Sequence, residues 1–102
     1  MLNFLERHSL KGKTAWVTGG KRIGKEVAAA LAELGADLVL SYRSSEKEAR
    51  EVEERVKRFG RKVLVIQADV SNRENVVRAV ERIKTEFGKL DIIVLLASVF
   101  KT

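Results

Sequence analysis

The sequence predicts an α/β fold in which a parallel sheet, ordered 3-2-1-4 and connected β-α-β-α-β-α-β, carries helices on both faces. Three observations lead there. Strand-like and helix-like segments alternate from Lys13 onward. The strand cores are continuously apolar, the pattern of parallel strands covered on both sides. A glycine (Gly35, Gly60, Gly88) follows each helical stripe, where a left-handed residue ends a helix.

The elements follow in order. Met1–Ser9 is a short lead-in whose Leu2, Phe4 and Leu5 are apolar; His8, the only histidine, has no assigned role. The first strand is Thr14–Thr18 and the second Asp37–Tyr42, around Leu38-Val39-Leu40. The third is Lys62–Gln67 and the fourth Leu90–Ala97, around Ile92-Ile93-Val94-Leu95-Leu96. Between them run stripes at helical spacing: Ile23, Val27, Ala30, Leu31 and Leu34; then Ala49, Val52, Val56 and Phe59; then Val76, Val80, Ile83 and Phe87. Ser45 with Glu48, and Ser71 with Glu74, have capping-box spacing at two helix starts. Right-handed crossovers in the order 3-2-1-4 reverse the winding between the first and fourth strands. A ligand is expected at that switch point, by Thr18-Gly19 and Ala97-Ser98.

With 102 residues the chain is read as one domain, residues 1–102, and 45% hydrophobic with 33% charged residues is a globular composition. The absence of cysteine excludes disulfides, thiolate metal sites and thiol catalysis. No apolar run reaches membrane-spanning length, and the lead-in lacks the pattern of a signal peptide, so the expectation is a cytoplasmic protein with no membrane partner. The net charge of +6 suits an anionic partner. A nucleotide is sufficient; no basic-aromatic interleaving or recognised motif points to nucleic acid, and none is expected.

The stretch Ala15-Trp16-Val17-Thr18-Gly19-Gly20-Lys21-Arg22-Ile23-Gly24-Lys25-Glu26-Val27 runs from an apolar strand through a glycine turn into a helix start. Such a junction is an anion site, because glycines allow close approach and the helix N-terminus offers free N–H groups with partial positive charge. Two known patterns compete. Gly19 to Gly24 followed by Lys25 matches G-x-x-x-x-G-K, but Glu26 stands where a magnesium-binding Ser or Thr is required. The dinucleotide pattern G-x-G-x-x-G has the right outer spacing, with its second glycine one place early at Gly20.

With its flanks, Lys11-Gly12-Lys13-Thr14-Ala15-Trp16-Val17-Thr18-Gly19-Gly20, the stretch resembles the entry of the short-chain dehydrogenase/reductase family. Lys21-Arg22-Ile23-Gly24 is most similar to pteridine-reductase-like and acyl-carrier-protein-reductase-like members. The resemblance implies a Rossmann-like three-layer sandwich, here a partial fold, and a dinucleotide cofactor held by Thr18, Gly19, Gly20, Lys21, Arg22, Ile23 and Gly24. It implies that Asp69 and Val70 contact adenine, although Asp69 can equally serve as a cap for the loop before Ser71. It also implies that Ala97 and Ser98 border the cofactor.

At the end of the second strand an NAD site carries an acid for the ribose 2′-hydroxyl. This chain has Ser41-Tyr42-Arg43-Ser44-Ser45 there, and Arg43 with Ser44, helped by Lys21 or Arg22, suits the 2′-phosphate of NADP(H). A solvated loop arginine is the alternative. The sequence departs from the family in three places. Four residues, not five, separate Gly19 from Gly24; Leu95-Leu96 replace Asn-Asn before Ala97-Ser98; and no Tyr-x-x-x-Lys occurs before Thr102, so no catalytic residue is assigned. The expectation is the NADP(H)-binding portion of a reductase that passes hydride to a carbonyl or imine, this chain alone reducing nothing. The alternative is a non-enzymatic nucleotide-binding or assembly module. Self-association through the fourth strand, or union with a C-terminal half, is expected because that strand is apolar on both faces at an open edge.

Overall fold

The computed structural model describes residues 9–19 and 21–96, with Lys21–Ile23 described as backbone alone. Seven elements follow one another: β1 (Thr14–Thr18), α1 (Lys21–Glu33), β2 (Asp37–Tyr42), α2 (Glu46–Lys57), β3 (Val63–Gln67), α3 (Arg73–Phe87) and β4 (Ile92–Leu95). The strands form one sheet in the order β3-β2-β1-β4 with every pairing parallel, as predicted.

The core is two clusters divided by the sheet. On one face Ala15, Val17, Leu38 and Leu40 meet Ala28, Ala32, Val52 and Val56 of α1 and α2. On the other, Trp16, Val39 and Ile66 meet Ala79 and Ile83 of α3. The result is three layers. Burying a Leu, Val or Ile side chain contributes roughly 1.5–3 kcal/mol, and Leu38, Val39, Val56 and Ile83 are essentially inaccessible to solvent.

Aspartates at the amino ends of the strands extend the ladders. Asp37 Oδ1 accepts the Lys62 N–H at 2.9 Å, and Asp91 Oδ2 accepts the Thr14 N–H at 2.9 Å. These bonds explain why β3 starts at Val63 rather than Lys62: the Lys62 amide is held by a side chain.

Three expectations need correction. The buried face of α1 runs through Gly24, Ala28, Ala29 and Ala32, while Ala30 is exposed and Val27 and Leu31 flank the core. Small residues line that face, and at Gly24 even a Cβ would stand 2.6 Å from the Gly19 carbonyl oxygen. Neither capping box forms as expected. Ser45 occupies the N-cap position of α2 without a side-chain capping bond, and α3 is capped by Asn72, which accepts the Asn75 N–H at 3.1 Å. Ser71 is drawn away by a shorter local bond, 2.6 Å from its hydroxyl to Asp69 Oδ1. Finally, Phe59 and Val80 of the predicted stripes are exposed, 38% and 42%.

Candidate dinucleotide site

The carboxyl ends of β1, β2 and β3 open on the same side of the sheet, because the strands are parallel. β1 ends at the buried Thr18, whose carbonyl accepts the Leu96 N–H at 2.9 Å. The chain then turns through Gly19, whose φ of 67° lies in the left-handed region that favours glycine. α1 begins at Lys21.

Gly24 shows how tightly this junction is folded. A Cβ there would stand 2.6 Å from the Gly19 carbonyl oxygen and 3.7 Å from Leu96 Cδ1. No side chain fits, so the helix start is held against the end of β1. The free N–H groups of the first turn of α1 are thereby placed beside the turn, and that turn contains no acidic residue. Glu26, the residue that would repel a phosphate, is engaged elsewhere. It pairs with Arg55 of α2 at 3.1 Å, and that hydrogen bond and charge hold its carboxyl below the ordinary range. The donor set fits an anionic pyrophosphate.

At the end of β2, Arg43 and Ser44 are both exposed. The Arg43 carbonyl accepts a hydrogen bond from Gln67 Nε2 at 3.1 Å. Past β3, Asp69 Oδ1 accepts the Ser71 N–H at 2.9 Å and the Ser71 hydroxyl at 2.6 Å. These bonds, with a smaller contribution from the Arg43 charge, hold the Asp69 carboxyl below its usual range. The Asp69 N–H donates to Asn75 Oδ1 at 3.0 Å, which fastens the loop to α3. The cap reading of Asp69 is therefore realised in this structure, and both bonds use one oxygen.

The fold brings Thr18, Gly19, Gly24, Arg43, Ser44, Asp69 and Val70 to one end of the sheet. Gly20, Ala97 and Ser98 lie outside the described residues, as do the side chains of Lys21, Arg22 and Ile23. Two further residues belong to the site's framework, Gln67 and Asn75. A polar residue closing an otherwise apolar strand was the available signal for Gln67; Asn75 had none beyond its place in a helix's first turn. The Thr18 hydroxyl is buried without a hydrogen-bond partner. Its register partners are Ser41 on β2 and Leu95 on β4.

Among the described residues no cluster of three metal-ligating side chains occurs, and no helix is long and apolar enough to cross a membrane. A shallow depression lined by Arg73, Glu74, Val77 and Arg78 lies on the N-terminal part of α3 and shares no residue with the site above.

Comparison with known proteins agrees with this geometry. Residues 13–102 match the short chain dehydrogenase family. The chain is 44% identical over 87 residues to a hydroxynaphthalene reductase-like protein, Arp2, of Metarhizium brunneum, an overlap of 84% of this chain and 33% of the relative. It is 44% identical over 91 residues to 2-dehydro-3-deoxy-D-gluconate 5-dehydrogenase of Pseudoalteromonas atlantica, covering 88% of this chain and 36% of that one. A short chain dehydrogenase from Burkholderia cenocepacia, solved in complex with NADP, superposes with a TM-score of 0.83 at 42% identity, over 90% of this chain and 38% of that one. The chain thus spans about a third of the length of the curated relatives it matches.

Proposed function

The chain belongs to the short chain dehydrogenase family, and from that membership we propose that it forms the NADP(H)-binding portion of a reductase whose full-length protein transfers hydride to a carbonyl or imine. The nicotinamide cofactor supplies the hydride; the residues of this chain bind and orient it. Gly19, Gly20 and the first turn of α1 hold the pyrophosphate, with Lys21, Arg22 and Ile23 around it. Asp69 and the Val70 N–H take the adenine, and Ala97 with Ser98 border the cofactor beyond β4. The observation that carries this reading is the exclusion of any side chain at Gly24, which presses the N-terminus of α1 onto the end of β1.

The 2′-phosphate is assigned to Arg43 and Ser44. An NAD-type acid is missing at this strand end, and Asp37 stands at the other end of β2, bonded to Lys62. Calorimetric titration of the chain with NADPH and NADH tests the assignment. A charge-assisted hydrogen bond contributes roughly 1.5–3 kcal/mol, so NADPH should bind about 10- to 100-fold tighter. Arg43→Ala should remove most of that preference and leave NADH binding nearly unchanged. Equal affinities in the unmutated chain would overturn it.

The alternative, a non-enzymatic nucleotide-binding or assembly module, is not favoured by the match to the short chain dehydrogenase family and to reductases. Ile93 and Leu95 of the edge strand β4 are 54% and 69% exposed, and an uncharged open edge is a template for pairing with another chain.

A further inference from the structure

The β2–β3 ladder ends one step beyond the strands. The Ala68 N–H donates to the Tyr42 carbonyl at 2.9 Å, and after this pair the two chains part. β3 leads into the loop closed by Asp69, Ser71 and Asn72, while β2 leads through Arg43 and Ser44 to Ser45 at the start of α2. The Arg43 carbonyl would be left without a backbone partner at this divergence. Gln67, paired with Tyr42 in the register, fills the gap by donating from Nε2 to Arg43 O. Among the described residues this is the one side-chain hydrogen bond made to Arg43–Ser45, since Ser45 makes no capping bond of its own.

We infer that Gln67 is a positioning residue for cofactor selection: by pinning the Arg43 carbonyl it fixes the backbone from which the Arg43 side chain departs, and so sets the preference for a dinucleotide carrying a 2′-phosphate. The inference rests on the assignment of Arg43 made above. A long arginine side chain meets a phosphate productively only if its starting point is held, because ordering a free backbone segment on binding costs affinity. Asp69, whose carboxylate lies close enough to Arg43 to feel its charge, bounds the same space on the β3 side. Gln67 itself need not touch the cofactor.

The test is a double-mutant cycle read by calorimetry on the whole chain, with NADPH and NADH as titrants. Gln67→Met keeps side-chain length and strand character but removes the donor. NADPH affinity should fall about 3- to 10-fold, the loss of one hydrogen bond's worth of positioning. NADH affinity should stay within about 2-fold, which also shows that the variant is folded. In an Arg43→Ala background, Gln67→Met should change neither affinity, because nothing remains to be positioned. An equal loss for both cofactors, no loss at all, or an undiminished loss in the Arg43→Ala background each overturns the inference. If Arg43→Ala alone leaves the NADPH preference intact, or if no preference exists, the assignment of Arg43 has failed first.

Discussion

β2 and β4 are written in the same apolar residues and end in different surroundings. In β2, Leu38, Val39 and Leu40 are 0%, 0% and 5% exposed. In β4, Ile92 and Val94 pack against the α1–α2 cluster, but Ile93 and Leu95 on the other face stand open. The difference follows from what the described residues place around each strand. β2 has a strand on each side and helices over both faces, whereas α3 is tied toward β3 by Asn75 bonding the Asp69 N–H and by Lys62 bonding the Glu86 carbonyl. Val77 and Val80, on the flank of α3 turned away from Asn75, are exposed with them. An apolar run states that a strand needs cover on both faces; only the rest of the fold supplies it.

The contrast should show first in stability. Leu38→Ala removes a fully buried side chain and is expected to cost about 2–5 kcal/mol. Ile93→Ala, on the open face, should stay within about 0.5 kcal/mol. Urea unfolding of the two variants measures both, and similar losses would mean that β4 is covered.

Next comes association. The unmutated chain is expected to self-associate through β4 as its concentration rises, and Ile93→Lys with Leu95→Lys should shift it toward monomer by charging the edge. Light scattering across a concentration series decides; a concentration-independent monomer would show that the edge does not pair.

A smaller gain is expected at the boundary between the two regions. Thr18 and Leu95 are register partners pointing to the same face, and the Thr18 hydroxyl is buried without a partner. Leu95→Asn places an amide beside it and should stabilise the chain by about 0.5–1.5 kcal/mol. A lower unfolding midpoint would show that the added polar group outweighs the bond.

The smallest effect concerns pH. Asp91 accepts the Thr14 N–H and pairs with Lys89, and these contacts, the backbone bond first, hold its carboxyl below the ordinary value. A depressed folded-state value means the stabilisation is fully present above the unfolded pKa of about 3.9. It is lost as pH falls through the lower folded value. The unfolding midpoint of Asp91→Asn should therefore lie beneath that of the unmutated chain at neutral pH, and the gap should begin to close below pH of about 3.9 and vanish only below the lower folded value.

How much of this was legible beforehand varies with how local the cause is. The boundaries of β1 and β2, the strand order and the turn at Gly19 follow from local pattern and crossover rules, and all match the expectation. The caps did not, because Ser71 had two possible partners and the loop gave it Asp69. The buried face of α1 was misjudged since its phase depends on how near the helix lies to the sheet, which the Gly24 contact sets. Arg43 could be singled out as the residue where an NAD site keeps an acid. Gln67 offered only the weaker signal of a polar residue closing an apolar strand, because its bond joins residues 24 apart in sequence and no motif announces it.

One consequence lies in how β1 shares its backbone. The Lys13 carbonyl is taken by Asp37 of β2, while the Thr14 and Thr18 carbonyls are taken by Asp91 and Leu96, which flank β4. Alternate residues of a central parallel strand thus answer to opposite neighbours. The β4 neighbour is the less covered of the two, and local opening begins where burial is thinnest. In deuterated solvent β1 would therefore exchange its amides at two speeds, residue by residue: those of Trp16 and Thr18 at the pace of a fraying edge, those of Ala15 and Val17 at the pace of the whole fold.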